Sequence, residues 1–166
     1  LKSTSPPTHL INTHFHIDHV LGNSYIADKY NLPVTAYNSE IDMVAMAERS
    51  AELYGIPYKS SPKPTSFLNE GDTINFGSSE LKVLFVPGHS PDHIVLVCKA
   101  EDFMIGGDVL FKGSIGRTDL PGGNHHDLID NIENKIFTLP GSIKVYSGHG
   151  PETTIGEEKM TNPFFT

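Results

Sequence analysis

The sequence predicts a layered α/β domain, because strand-like and helix-like segments alternate near its start and its end and β-hairpin patterns lie between them. Its 166 residues suffice for a sizeable core, so we expect residues 1–166 to form one domain. Hydrophobic residues make up 37% of the chain and charged residues 19%. Apolar runs recur throughout, which is typical of a folded protein.

The first part of the chain predicts two strands and two helices. The segments "THLINT" and "PVTAY" are short strands. The segment "DHVLGNSYIADKYN" has apolar residues at helical spacing, and "NSEIDMVAMAERSAELYG" is the clearest helix. We expect Asn38 or Ser39 to cap this second helix and Gly55 to end it. The Pro- and Ser-rich segment "IPYKSSPKPTS" is a predicted loop inside the domain.

The second part predicts two hairpins, a helix and a strand. The hairpin "DTINFGSSELKVLFVPG" turns at Gly77, and "HIVLVCKAEDFMIGGD" turns at 99–102. Cys98 is a predicted buried strand residue. The segment "IKVYSGHG" is a last strand that runs into a glycine loop. The segment "NHHDLIDNIENKIFTL" is a predicted helix whose apolar side carries Leu128, Ile129, Ile132, Ile136 and Phe137.

Charge and cysteine content exclude several classes of function. Twelve basic and 20 acidic residues give a formal net charge of −8 without a Lys/Arg cluster, so we expect no nucleic-acid partner. A single cysteine excludes a disulfide-stapled scaffold. We find neither a signal peptide nor an apolar run of about 18 residues, and we therefore expect a cytoplasmic location and no membrane partner. The chain opens with "LKSTSPPTHL" and no Met, as a fragment or trimmed chain would.

Four ligand-type side chains crowd into the segment "LINTHFHIDHVLGN". They are His14, His16, Asp18 and His19, and they stand between a predicted strand and a predicted helix. Imidazole and carboxylate groups together suit Zn²⁺ or iron. One metal seldom takes four ligands from one local segment. The segment therefore predicts either two neighbouring metals or one metal with further polar partners.

Three later residues repeat this setting. His89, Asp108 and His149 each follow a predicted buried strand, and each stands beside a glycine that allows a sharp turn. Ligands at strand ends on one edge of a sheet can converge on a single site. The repetition over four segments favours a metal site built from all of them.

These segments resemble one known family. The segment "THFHIDH" matches the His-x-His-x-Asp-His signature of the metallo-β-lactamase fold superfamily, and "PGHSPDH", "GGDVLF" and "SGHGP" follow in that superfamily's order. The resemblance implies a four-layer αβ/βα sandwich. The superfamily normally has a few dozen residues before the signature, so we expect this chain to lack the N-terminal strands. The segments "GDVLFKGSIGRTDLPGG" and "GPETTIGEEKMTNPFF" look like the short glyoxalase II-like enzymes, of the hydroxyacylglutathione hydrolase type.

The resemblance also implies residue roles. One metal would be bound by His14, His16 and His89, a second by Asp18, His19 and His149, and Asp108 would bridge the two. Two divalent ions, expected to be Zn²⁺ with Fe or Mn as further candidates, would share a hydroxide that attacks a thioester such as S-D-lactoylglutathione.

Two residues have further implied roles. Asp18 could also orient the hydroxide. Arg117 lies where longer relatives place a basic substrate contact, although a structural ion pair with Asp119 is an equally simple explanation.

Other functions are open. A mononuclear iron persulfide dioxygenase of the same superfamily would use His14, His89 and Asp108. A β-lactamase is disfavoured because a bridging Asp108 is the hydrolase pattern, and a nuclease is disfavoured by the net charge of −8. A folded domain with a vestigial metal site is the non-enzymatic alternative.

The remaining histidines are expected outside the metal site. We expect His93 to support the site or the fold without binding metal, His125 and His126 to be surface or capping residues, and His9 to be structural.

Overall fold

A computed structural model describes residues 5–166 and shows two compact units, Leu1–Leu68 and Asn69–Thr166. Residues 1–4, where the opening segment without Met begins, lie outside the described residues. The predicted α/β class is confirmed, while the single domain over 1–166 stays a prediction. Within residues 5–166, no helix combines the length and the apolar composition needed to cross a bilayer.

Residues 5–68 of the N-terminal unit form a parallel sheet with strand order β1-β2-β3, together with three helices. The register pairs Leu10 with Val34 and Thr35 with Ser66. In chain order the elements are β1 (Leu10–Ile11), α1 (Ile17–Val20), α2 (Asn23–Tyr30), β2 (Val34–Tyr37), α3 (Met43–Tyr54) and β3 (Ser66–Leu68).

Helix boundaries in this unit differ from the prediction in two places. The predicted helix after the histidines is divided into α1 and α2 at residues 21–22. Helix α3 is capped by Asp42, whose side chain accepts a hydrogen bond from the Ala45 N–H at 3.1 Å, so the expected cap at Asn38 or Ser39 is wrong. The Ser39 hydroxyl instead accepts from the Ile41 N–H, in a turn that precedes the helix.

The C-terminal unit is built on a six-stranded mixed sheet with the order β11-β10-β7-β6-β5-β4. Strand β10 runs parallel to β7, and the other neighbouring pairs are antiparallel. Strands β8 and β9 form a separate small hairpin, and a π-helical turn, Ile132–Ile136, follows α4. In chain order the elements are β4 (Thr73–Phe76), β5 (Ser79–Phe85), β6 (Ile94–Cys98), β7 (Phe103–Gly107), β8 (Leu110–Phe111), β9 (Ser114–Ile115), α4 (His125–Asn131), β10 (Lys144–Ser147), β11 (Thr153–Thr154) and α5 (Ile155–Thr161).

One face of this sheet carries the core of the C-terminal unit. Alternate residues such as Val95, Val97 and Met104 pack with Leu128 and Ile132 from the helical side, as the two-residue period of a strand requires. Both predicted hairpins are confirmed, and Cys98 is fully buried in β6 as predicted. Because β7 and β10 are parallel, the residues that follow them leave the sheet at the same edge.

Candidate metal centre

The N-terminal unit brings His14, His16, Asp18 and His19 together in one turn between β1 and the end of α1. The rings of His14 and His16 stand 4.7 Å apart and nearly perpendicular, and the rings of His14 and His19 are 4.2 Å apart. An Asp18 carboxylate oxygen lies 3.4 Å from His19 Nε2. His14 is buried, His16 and His19 are half-buried, and Asp18 is exposed. The clustering expected from the spacing is therefore present inside this unit.

Alternation of side chains explains how the turn gathers its histidines. Phe15 and Ile17 enter the core of the N-terminal unit, while His14 and His16 alternate with them along the chain. The backbone of His16 is still extended, and α1 begins at the next residue. The change from strand to helix brings Asp18 and His19 close to the histidines that precede them.

Two buried asparagines flank this turn, and sequence analysis missed both. Asn12 Nδ2 donates to the His19 carbonyl at 3.0 Å and to Asn23 Oδ1 at 3.3 Å. Asn23 Nδ2 returns a hydrogen bond to Asn12 Oδ1 at 2.8 Å and reaches Ser61 Oγ at 2.9 Å. An asparagine at the end of a strand and another beside a glycine resemble ordinary turn residues, so the sequence offered no signal of this pairing.

The C-terminal unit brings together His89, Asp108 and His149, which lie in loops after β5, β7 and β10. The Asp108 Oδ2 atom lies 3.6 Å from His89 Nε2 and 3.5 Å from His149 Nε2. His89 and Asp108 are buried, whereas the His149 side chain is 59% exposed. Both distances exceed the usual range for a hydrogen bond. Two donor atoms bound to one tetrahedral zinc ion, each at about 2.1 Å, lie about 3.4 Å apart, so each Asp108–histidine pair has a separation that suits two ligands of a shared metal ion.

Hydrogen bonds fix how two of these ligand residues are presented. His89 Nδ1 donates to the Arg117 carbonyl at 2.7 Å, which leaves His89 Nε2 with its lone pair directed away from that bond. The fully buried His93 accepts the backbone N–H of Asp108 on its Nε2 at 3.0 Å. This bond is the supporting contact expected of His93, whereas the expectation that His93 binds no metal stays a prediction. At the edge of the sheet, the Gly148 N–H donates to the Gly107 carbonyl at 2.8 Å, so the loops of Asp108 and His149 are tied together.

Close backbone packing also holds the ligand loops. A Cβ added at Gly116 would lie 1.9 Å from the Asp108 carbonyl oxygen and 3.1 Å from His89 Cβ. Gly88, immediately before His89, has a φ of +135°, and a Cβ there would lie 2.5 Å from the backbone of Leu128 at the start of α4. Both positions exclude any side chain, although only Gly88 was singled out from the sequence.

Arg117 forms the ion pair that sequence analysis left as an alternative. Its guanidinium donates two hydrogen bonds of 2.7 Å to the Asp119 carboxylate, and both side chains are exposed. These hydrogen bonds lower the pKa of Asp119 to about 2. The substrate contact expected of Arg117 stays a prediction.

Asp92 and the remaining histidines have local roles. Asp92 is buried and accepts a hydrogen bond from Ser90, and burial raises the pKa of its carboxyl group. His125 and His126 are exposed at the start of α4, which confirms a surface role, and the helix cap is Asn124. The expected structural role of His9 stays a prediction; that residue is exposed, with its ring nitrogen 2.9 Å from the Thr8 hydroxyl.

A buried carboxylate from the C-terminal helix supports the β8–β9 hairpin. Glu158 is 1% exposed and accepts hydrogen bonds from the Thr153 hydroxyl and, at 2.8 Å each, from the Gly113 N–H and Asn162 Nδ2. Asn162 also donates to the Ser114 carbonyl at 3.0 Å. This hairpin begins two residues after Asp108 and leads into Gly116. Sequence analysis missed Glu158, since one acid in the run "GEEKM" looks solvent-exposed.

Comparisons with known sequences agree on one family. A family profile described as the metallo-β-lactamase superfamily matches residues 3–149. The Bacillus subtilis (strain 168) protein called probable metallo-hydrolase YqgX is 42% identical over 161 residues, which cover 95% of this chain and 75% of that protein. The Haemophilus influenzae protein called hydroxyacylglutathione hydrolase GloC is 34% identical over 157 residues, which cover 93% of this chain and 74% of that protein.

Solved structures show the same fold. The di-iron-bound form of TTHA1623 has a TM-score of 0.87 and 35% identity, covering 95% of this chain and 77% of that one. The BLEG-1 B3 metallo-β-lactamase has a TM-score of 0.89 and 37% identity, covering 97% and 78%. ETHE1 from Myxococcus xanthus has a TM-score of 0.75 and 28% identity, covering 94% and 61%.

Proposed function

Because the chain belongs to the metallo-β-lactamase superfamily, we propose that its two groups of ligand residues form one dinuclear metal centre of a hydrolase. The proposed assignment gives the first metal His14, His16 and His89, the second metal Asp18, His19 and His149, and both metals Asp108. The single observation that carries it is the position of Asp108, whose Oδ2 lies within 3.6 Å of imidazole nitrogens from two separate loops. A carboxylate in that position suits a ligand shared between two ions.

Zn²⁺ is the proposed metal, with Fe and Mn as alternatives. Imidazole and carboxylate donors accept all three. The relative TTHA1623, solved with two iron ions, supports a pair of metals without favouring zinc. When bound, such ions lower the pKa of a coordinated water and polarise a substrate carbonyl.

The protein's own groups prepare this chemistry. The bond from His89 Nδ1 to the Arg117 carbonyl fixes the tautomer that presents Nε2. The hydrogen bond that the Asp108 backbone N–H donates to His93 Nε2 holds the loop that carries the shared carboxylate. Asp18, exposed at the start of α1, is proposed to orient the attacking water.

A thioester is the proposed substrate, in a glyoxalase II-like reaction on a compound such as S-D-lactoylglutathione. A water oxygen would bond to the thioester carbonyl carbon, the C–S bond would break, and the departing thiolate would take up a proton. The similarity to the Haemophilus influenzae protein called hydroxyacylglutathione hydrolase supports this substrate class. Arg117 is proposed to contact a substrate carboxylate. Its guanidinium would then either break its ion pair with Asp119 or bind both carboxylates at once.

Metal content and substrate turnover test the proposal together. Protein purified without added metal should contain about two metal ions per chain and release a thiol from S-D-lactoylglutathione. Asp108→Asn should lose activity, while Asp130→Asn, on the exposed face of α4, should retain it. If the protein binds two metal ions but hydrolyses a chromogenic cephalosporin and not the thioester, the proposed substrate becomes a β-lactam.

The dioxygenase alternative gives a different result in the same experiment. The structural neighbour ETHE1 makes it worth testing, at 28% identity. About one iron per chain, with oxygen consumption on glutathione persulfide and no thioester hydrolysis, would overturn the proposed hydrolase. Less than a tenth of an equivalent of metal under all conditions would indicate a vestigial site.

A further inference from the structure

We infer that Asn12 is a positioning residue that holds His19 in place for the second metal of the proposed centre, acting through the His19 backbone and through a paired Asn23. This inference rests on the proposed function, because it assigns a task to a residue outside the ligand set. The contacts that support it all lie within the N-terminal unit.

Asn12 joins three parts of the N-terminal unit. Its backbone N–H donates to the Thr35 carbonyl at 3.0 Å, which fixes it to β2. Its side-chain amide donates to the His19 carbonyl at 3.0 Å and to Asn23 Oδ1, and it accepts from Asn23 Nδ2 at 2.8 Å. The chain enters the ligand turn directly after Asn12 and leaves it just before Asn23, so the amide pair closes the turn at its base.

The amide pair is buried and further anchored. Asn12 is 7% exposed and Asn23 is 3% exposed. Asn23 also donates to Ser61 Oγ at 2.9 Å, and that hydroxyl donates to the Pro62 carbonyl at 3.0 Å. A buried amide that loses its hydrogen-bond partners keeps the cost of its desolvation without compensation, so this arrangement resists rearrangement.

His19 needs such support because α1 is very short. The helix has only four residues, Ile17–Val20, and a helix of that length is not stable by itself. The His19 N–H donates to the His16 carbonyl at 3.0 Å, and the His19 carbonyl accepts from Asn12. Both main-chain groups of His19 are thus held, and one of them depends on Asn12. These two bonds fix the backbone from which its imidazole extends.

Metal titration separates this role from a merely structural one. Metal-stripped wild type, Asn12→Ala and the control Ser61→Ala would each be titrated with Zn²⁺ by calorimetry and with Co²⁺ by visible absorption. Ser61→Ala removes the two hydrogen bonds of the Ser61 hydroxyl, to Asn23 and to the Pro62 carbonyl, without touching the His19 carbonyl. We expect wild type and Ser61→Ala to bind two equivalents. Asn12→Ala should bind the first equivalent normally and the second about 10–100-fold more weakly.

The outcomes are distinct. Equal affinity of folded Asn12→Ala and wild type for both ions would overturn this inference and leave the proposed function standing. A wild type that binds fewer than two ions would overturn the proposed dinuclear centre and the inference with it. If Asn12→Ala does not fold, Asn12→Asp replaces it, because aspartate still accepts from Asn23 but cannot donate to the His19 carbonyl. The same weakening of the second ion is then expected, and an unchanged isotherm would again refute the role of Asn12.

Discussion

Gly116→Ala should damage the proposed metal centre without altering any ligand. Its new Cβ would lie 1.9 Å from the Asp108 carbonyl oxygen, whereas real Cβ contacts essentially never fall below 3.0 Å. The two atoms must therefore separate by at least 1.1 Å, the difference between those values. The Asp108 carbonyl carbon at 3.0 Å and His89 Cβ at 3.1 Å are also close, and His89 Cβ blocks part of the space into which the loop could retreat.

This displacement sets the expected magnitude. A shift of about 1 Å in a catalytic group can lower the rate about 100-fold, and overpacking typically costs about 1–3 kcal/mol of stability. For a chain of this size each kcal/mol corresponds to about 2–4 °C in Tm. We therefore expect kcat/KM for S-D-lactoylglutathione to fall about 100-fold, with a modest decrease in Tm and weaker metal binding.

Gly22→Ala is the matched control. Among the residues that the structure describes, no atom lies within 4 Å of a Cβ at Gly22, and its φ of −89° suits any residue. Its stability should change by about 0.5 kcal/mol or less, and its activity should be that of wild type. Thermal denaturation, metal analysis and thioester kinetics would be measured on both variants. A Gly116→Ala protein with wild-type kcat/KM and metal content would refute the steric reasoning.

Three further predictions concern other parts of the protein. Glu158→Gln should lower the free energy of unfolding in urea by about 2 kcal/mol, because the buried carboxylate loses its charge-assisted hydrogen bonds. The control Glu157→Gln, at a half-exposed residue, should change that free energy little. Equal losses of stability in the two variants would contradict the role of the buried carboxylate. Chelation should lower Tm, since metal at about 1,000 times its Kd adds about 4 kcal/mol, and an unchanged Tm would count against the site. In Arg117→Gln the pKa of Asp119 should rise from about 2 towards 3.8, as measured by NMR titration. Because the pKa of Asp119 is depressed in the folded wild type, the stabilisation of the fold by the Arg117–Asp119 pair is present above pH 3.8 and is lost as pH falls towards 2.

Local pattern was enough for the long elements and for one ligand cluster. Hairpins β4–β5 and β6–β7 follow from alternating apolar residues around short turns, and the spacing of His14, His16 and His19 predicts their clustering directly. Strands β8, β9 and β11 have two residues each and exist only through pairing. None of these three was predicted from the sequence, whereas the equally short β1 lies in the predicted strand "THLINT".

The supporting residues were missed for a related reason. Asn12 bonds to a partner 11 residues away, and Glu158 bonds to one 45 residues away. An asparagine or glutamate has the same sequence signature on the surface and in a buried network. The cap of α3 shows the same problem at short range, since Asn38, Ser39 and Asp42 are all good caps and the fold selects the last.

The burial of Cys98 has a practical consequence. It is the single thiol of the chain, it is fully inaccessible, and it pairs with Phe103 in the middle of the C-terminal sheet. A thiol reagent can reach it only when the end of β6 and the adjoining turn transiently open, so the labelling rate under fast-closing conditions reports the free energy of that opening. Cys98 in the wild-type protein can therefore report this opening without an introduced label. Comparing its labelling rate with and without metal would measure how strongly metal binding stabilises strands that are far along the chain from the histidine turn.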